Sequence, residues 1–175
     1  SEIGLGATGI AAALMHDVVE DTPITVEDIE KLFNHKVAQL VEGLTKISKV
    51  QKEMNVSMQA ENFRKMLFTL HDDVRVILIK IADRLHNMQT LDNMEDYKQI
   101  KIASETLYIY APLAHRLGLY KIKNKLEDLG LKYTEPTTYN EIVSRIKETK
   151  EEQDAYIKDI SDILKKALDT ENIDY

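Results

Sequence analysis

Val74-Arg75-Val76-Ile77-Leu78-Ile79-Lys80-Ile81-Ala82-Asp83-Arg84-Leu85-His86-Asn87-Met88-Gln89-Thr90-Leu91 is the stretch on which the fold class turns. Its first part, Val74 with Val76, Ile77, Leu78 and Ile79, has the propensity of a buried strand. Followed further, Ile77, Ile81, Leu85 and Met88 keep a helical period near 3.6, which no strand does. The spacing predicts a buried helix over residues 74–91 and, with its flanks, an all-α chain. On that helix Asp83, Asn87 and Thr90 fall at i, i+4 and i+7, one polar stripe beside core positions. A carboxylate placed there needs a partner. Two kinds are open: an internal salt bridge to Lys80, Arg84 or another arginine, or a metal site completed from elsewhere in the chain.

Working upstream, residues 58–70 have helical spacing through Phe63, Met66, Leu67 and Leu70, and His71-Asp72-Asp73 turns into the buried helix. Residues 48–57 have mixed polarity and no period, which predicts a loop of about ten residues. Val37, Leu40, Val41 and Leu44 predict a helix over 36–47. Thr25, with Asp28 three residues on, has the pattern of a capping box opening a short helix that buries Ile29, Leu32 and Phe33, after which Asn34-His35 turns the chain. Residues 8–20 predict a first, Ala-rich helix that Thr22-Pro23 stops. The Gly-spaced opening, residues 1–8, reads as the tail of an element already under way, so the chain is expected to begin inside a larger protein.

Downstream, residues 93–96 form a polar connection, and residues 97–110 are helical through Ile100, Ala103 and Leu107. Pro112 is expected to end or kink that helix, and Gly118 to mark the exit of the next short turn. Residues 119–131 predict a helix, and Pro136 separates it from a long last helix beginning near Thr137. In that helix residues 147–154 are almost entirely polar. Apolar spacing then resumes at Tyr156, Ile157, Ile160, Ile163, Leu164 and Leu168, a pattern that predicts docking against a neighbour.

The other polar concentration is Ala13-Leu14-Met15-His16-Asp17-Val18-Val19-Glu20-Asp21-Thr22. If it is helical, His16 and Glu20 stand four apart, as do Asp17 and Asp21, so all four can share a broad face. Three carboxylates so close repel one another, and a partly buried cluster must neutralise itself or gain a cation. A solvated acidic helix end and a divalent-metal site both satisfy this pattern.

Composition narrows the classes. The chain of 175 residues is long enough for one domain with a real core, and 43% hydrophobic with 30% charged residues is globular rather than disordered. It contains no cysteine, which removes disulfides, thiolate ligands and cysteine nucleophiles and leaves a cytoplasmic location as the expectation. A net charge of −7 argues against direct nucleic-acid binding, and no apolar run approaches the ~20 residues of a membrane span. Imidazole and carboxylates without thiolates suit Mn²⁺, Fe²⁺ or Mg²⁺, with Zn²⁺ not excluded.

His16-Asp17-Val18-Val19-Glu20-Asp21 followed by Asp83-Arg84-Leu85-His86-Asn87-Met88 resembles the HD-type hydrolase domain of the RelA/SpoT homologue family, bacterial enzymes that make and degrade the stringent-response alarmone (p)ppGpp. Glu42-Gly43-Leu44-Thr45-Lys46, Glu61-Asn62-Phe63-Arg64-Lys65-Met66-Leu67 and Tyr110-Ala111-Pro112-Leu113-Ala114-His115-Arg116-Leu117-Gly118 extend the similarity over residues 9–136. The resemblance implies a compact multi-helix HD-domain bundle over 1–136, lacking its N-terminal helices, and a C-terminal helix over 137–175 leading toward a synthetase domain. It implies hydrolysis of the 3′-pyrophosphate of (p)ppGpp to GDP or GTP and pyrophosphate, one Mn²⁺ cofactor, and adjacent synthetase and regulatory domains as partners. By position, His16, Asp17 and Asp83 would be metal ligands, Glu20 and Asp21 would position and deprotonate the attacking water, and Asn87 and Thr90 would contact the nucleotide. Lys46, Arg64 and Arg84 are candidates for holding the pyrophosphate or buttressing carboxylates, a solvated or structural role being the alternative for each.

Three features depart from the family pattern. A histidine ligand is usual upstream of the His-Asp pair and none precedes His16, so weak metal retention and low activity are expected of this stretch by itself. Gln89 stands where an arginine is usual, and no basic, glycine-rich synthetase motif follows Pro136. His35 and His71 are expected to be exposed in turns. His86 is a candidate to orient Asp83, His115-Arg116 to tie down a kink, and Tyr108, Tyr110, Tyr120 and Tyr133 to pack rather than stack on a base. The alternatives to the leading function are a non-catalytic helical regulatory module, in which the carboxylates form salt bridges, and an HD phosphohydrolase acting on another nucleotide.

Overall fold

Residues 4–52 and 73–170 are described by the computed structural model, and every regular element among them is helical. The expected helix 58–70, His71-Asp72 and the end of the expected loop lie outside the described residues. The chain divides into two compact units, residues 1–130 and 131–175.

The first unit opens with α1 (Ala7–Leu14) and α2 (Val18–Asp21). This corrects the single helix expected over 8–20, because the chain turns at Met15 (φ −108°, ψ 12°) and Asp17 (φ −105°, ψ −2°). The cause is local: His16 Nδ1 donates to Ala13 O at 2.9 Å, occupying the carbonyl whose α-helical partner would be the Asp17 amide. After Thr22-Pro23 comes α3 (Val26–Leu32), entered through the capping box that the sequence predicted. The Asp28 amide donates to Thr25 Oγ1 at 3.2 Å and the Thr25 amide donates to Asp28 Oδ2 at 3.1 Å. Of the three residues expected in its core only Ile29 is buried; Leu32 and Phe33 are exposed, since a helix of under two turns presents one apolar position to α4.

α4 (His35–Lys52) starts where Asn34 Oδ1 accepts the Val37 amide at 3.0 Å, so Asn34, in the connection where the chain turns, also caps the helix, and His35 is the first helical residue. It runs through 48–52, which overturns that part of the expected loop. Ile47 and Ser48 are buried and continue the face of Val37, Leu40, Val41 and Leu44, so packing extends a helix whose polarity pattern had faded. α3 and α1 pack on α4, and α4 packs on α5 (Val74–Gln89), the deciding stretch, which is helical as its period required. Asp73 caps it by accepting the Arg75 amide at 2.9 Å.

A 3₁₀ turn (Leu91–Asn93) leads to α6 (Asp96–Glu105), a π-helical segment (Thr106–Tyr110) and α7 (Ala111–Arg116). The helix does not end at Pro112, because the widened turns before the ring absorb the missing amide donor. Gly118, with φ +73°, closes α7: its amide donates to His115 O at 3.0 Å and the Leu119 amide to Ala114 O at 2.9 Å. α8 (Tyr120–Thr134) follows and carries the chain into the second unit. There the main element is α9 (Pro136–Thr170), with proline at its first position. Tyr156, Ile157, Ile160, Ile163 and Leu164 on α9 are exposed. No helix among the described residues is long and apolar enough to cross a membrane.

Candidate functional site

The break between α1 and α2 does more than shorten a helix. It leaves His16 on the turn with its Nδ1 spent on Ala13 O, and directs Nε2 at two carboxylates: Asp17 Oδ2 at 2.7 Å and Asp83 Oδ1, on α5, at 3.5 Å. α1 packs against both α4 and α5, and this packing sets the two elements side by side. His16, Asp17 and Asp83, predicted from sequence, are therefore brought together, and all three side chains are partly exposed.

The donor set has a definite chemistry. A backbone carbonyl only accepts, so Nδ1 carries a hydrogen. In a neutral ring Nε2 is then an electron-rich point, a lone pair with one carboxylate oxygen at 2.7 Å and a second at 3.5 Å. Such a point requires a proton on Nε2 or a cation among the three. Histidines that hold metals commonly donate the other ring nitrogen to a carbonyl, as here. The residues thus fit a divalent cation by donor type, while the side chains themselves are bonded to one another. Among the described residues no group of three or more His, Cys, Asp or Glu stands in metal-holding geometry.

Asp83 is the hub. Its Oδ1 also accepts from Asn87 Nδ2 at 3.2 Å, and its Oδ2 lies 3.7 Å from Lys80 Nζ. Both partners considered for it from sequence are present, the salt bridge and the metal-type neighbours. Thr90, the last of the stripe, caps α5 and donates to His86 O at 3.2 Å. Glu20, half-buried, and Asp21, exposed, occupy α2 immediately after Asp17.

The three basic candidates separate. Lys46 is exposed on α4 and paired with Glu42 Oε1 at 2.7 Å. Arg64 lies outside the described residues. Arg84 points inward: its side chain is 12% exposed, its Nη2 reaches Glu105 Oε2 at 3.3 Å and Tyr110 Oη at 3.4 Å, and its guanidinium lies 4.4 Å from the Tyr110 ring centre. Burial opposes its charge, but Tyr110, Glu105 and Asp83 outweigh that and hold its pKa above the ordinary arginine value. It ties α5 to α6 and to the π-helical segment. Of the other histidines, His35 is exposed and bonded to Glu30 at 2.9 Å, His86 is exposed, and His115 packs edge-on to Tyr120 at 5.5 Å. Tyr110 is buried, whereas Tyr108 and Tyr120 are exposed.

Sequence reasoning named Lys80 among the salt-bridge partners open to Asp83, without foreseeing its burial, and passed over Glu105. The signal for Lys80 was present, a lone charge inside an apolar run; Glu105 had none, being joined to Arg84 only through the fold.

Compared with known proteins, residues 1–120 match the family described as "HD domain". The chain is 46% identical over 174 residues to a probable guanosine-3′,5′-bis(diphosphate) 3′-pyrophosphohydrolase of Synechocystis sp., covering 99% of this chain and 23% of that protein. It is 50% identical over 147 residues to the bifunctional (p)ppGpp synthase/hydrolase SpoT of Escherichia coli, covering 84% of this chain and 21% of that protein. It is 46% identical over 170 residues to a GTP pyrophosphokinase of Myxococcus xanthus, covering 95% of this chain and 22% of that protein. The chain thus spans between a fifth and a quarter of the length of these relatives.

Proposed function

Because this chain belongs to the HD-domain family, we propose that it carries out the hydrolytic half of alarmone metabolism, removing the 3′-pyrophosphate of (p)ppGpp to leave GDP or GTP. The names of its relatives include both synthesis and hydrolysis, and each covers much more chain than is present here. The observation that favours hydrolysis is the convergence of Asp17 Oδ2 and Asp83 Oδ1 on His16 Nε2, at 2.7 and 3.5 Å.

In this reading His16, Asp17 and Asp83 hold a divalent cation, for which Mn²⁺ is the proposal. When bound, such a cation supplies Lewis acidity at the phosphoryl oxygens and favours ionisation of the attacking water. The residues of the chain do the rest. His16 is held in one tautomer by Ala13 O. Glu20 and Asp21 orient the water and take its proton as its oxygen bonds to the phosphorus on the ribose 3′ oxygen. The bond from that phosphorus to O3′ breaks, O3′ gains a proton, and pyrophosphate departs. Asn87 and Thr90, on the same stripe as Asp83, contact the nucleotide; Lys46 and Arg64 are proposed as phosphate contacts, and Arg84 as a buttress behind Asp83. The domain boundary at 136/137, adjacent synthetase and regulatory domains, and a cytoplasmic location complete the proposal.

The test is release of pyrophosphate from ppGpp, with MnCl₂, by this chain extended upstream to include the histidine that the family pattern places before the His-Asp pair. Asp83→Ala and Asp17→Ala should each lower the rate more than about a hundredfold, beyond the range of changes behind the ligands. Turnover that persists in Asp83→Ala, or that is the same in EDTA, overturns the assignment. A second reading, a helical regulatory module without catalysis, is favoured by the Lys80–Asp83 and Arg84–Glu105 pairs and predicts no turnover in any metal. Preference for a different nucleotide in the same assay would point to another HD phosphohydrolase.

A further inference from the structure

We propose that Lys80 is a positioning residue, the resident counter-ion of the Asp83 carboxylate, which reserves one oxygen for the site and tempers its hold on a divalent cation; this rests on the hydrolase reading above. Lys80 is only 4% exposed, set among the buried Val76, Ile77, Ile79 and Ile81 of α5. A long charged side chain withdrawn from water in this way is costly unless a carboxylate holds it. Its ammonium lies 3.7 Å from Asp83 Oδ2, one turn along the helix. The other oxygen, Oδ1, faces His16 Nε2 at 3.5 Å and accepts from Asn87 Nδ2 at 3.2 Å. The two oxygens have separate tasks, Oδ2 anchored inward and Oδ1 presented to the imidazole.

Two opposing consequences follow for a cation at His16. Anchoring Oδ2 orders the carboxylate, which helps binding, whereas a fixed positive charge behind the same carboxylate repels a doubly charged ion. At such short range and low polarity the repulsion exceeds the orienting gain. Without a cation the sign reverses, since the ammonium then helps to balance Asp83 alongside His16 and Arg84.

Thermal melts of the same upstream-extended chain in EDTA and across an MnCl₂ titration separate these effects. Lys80→Met should melt lower than the unaltered protein in EDTA and gain about 3–5 °C more on adding MnCl₂, with roughly tenfold tighter apparent Mn²⁺ binding. Lys80→Arg, which keeps the charge, should show the unaltered Mn²⁺ response whatever its absolute melting temperature. Folding of Lys80→Met only in MnCl₂ is the extreme of the same result. Equal losses with and without Mn²⁺, or failure of Lys80→Met to fold in either, would mark a packing role and overturn the proposal. No response to MnCl₂ in any of the three proteins, each extended upstream to include the family's preceding histidine, would instead overturn the cation site itself, and the hydrolase reading with it.

Discussion

Asp83 takes part in three interactions that compete for one carboxylate, and the competition explains why its neighbours are so specific. Lys80 takes Oδ2, while Asn87 and His16 share Oδ1. Other carboxylates in the chain have simpler work. Asp28 is held below the ordinary aspartate value of 3.8 first by the Thr25 hydroxyl and then by the Thr25 amide, and Asp73 by Arg75, whose guanidinium and amide both donate to it. A carboxyl depressed in the folded state contributes stability that is present above its unfolded value and lost as pH falls through its folded value. The urea midpoint should therefore drop below pH 3.8, and Asp28→Asn with Asp73→Asn should flatten that drop. An equally steep fall in the double variant would contradict this account. Thr25→Ala, which removes the hydroxyl but not the charge, should cost about 1 kcal/mol in the same experiment.

Among the elements, the junction of α1 and α2 and the π-helical segment are where backbone irregularity meets chemistry. At the first, a side chain diverts a helical carbonyl and leaves an imidazole facing α5. At the second, the wide turns around Thr106–Tyr110 place Tyr110 under the Arg84 guanidinium. Leu107 of the same segment packs where Gly130 of α8 has no side chain; a Cβ there would stand 2.5 Å from Leu107 Cδ2 and 2.6 Å from its Cγ. Gly130→Ala should gain the helix propensity of alanine yet destabilise on balance, the clash costing about 1–3 kcal/mol. Denaturant unfolding of Gly130→Ala alone and with Leu107→Ala checks it. The second substitution should recover part of the loss, and a Gly130→Ala protein as stable as the original would refute the contact.

Across the molecule, stability is distributed unevenly. Within the first unit, α4 and α5 hold Val41, Leu44, Ile77 and Ile81 almost wholly out of water. Within the second, residues 147–154 of α9 are exposed throughout, so among the described residues only the helix's own bonds protect their amides. Hydrogen exchange should be slowest at the four core amides and orders of magnitude faster at 147–154. Comparable protection in both places would show burial of α9 by another surface.

Local physics determined much of this in advance. The all-α class, the helical identity of 74–91, the capping box at Thr25 and the Asp83-Asn87-Thr90 stripe were legible because each depends on side-chain period or on atoms within about one helical turn. The convergence of His16, Asp17 and Asp83 was one of two readings left open by the residues, and resemblance favoured it, since spacing along a chain carries no distance between elements. Tertiary packing decided that α4 outlasts its polarity pattern, that Leu32 and Phe33 stay in water, and that Arg84 turns inward to Glu105. It also buried Lys80, whose pairing with Asp83 three residues on was one of the partners left open by the sequence. Burial is set by what arrives from elsewhere in the chain, and a desolvated charge must then take the nearest opposite charge that the fold supplies.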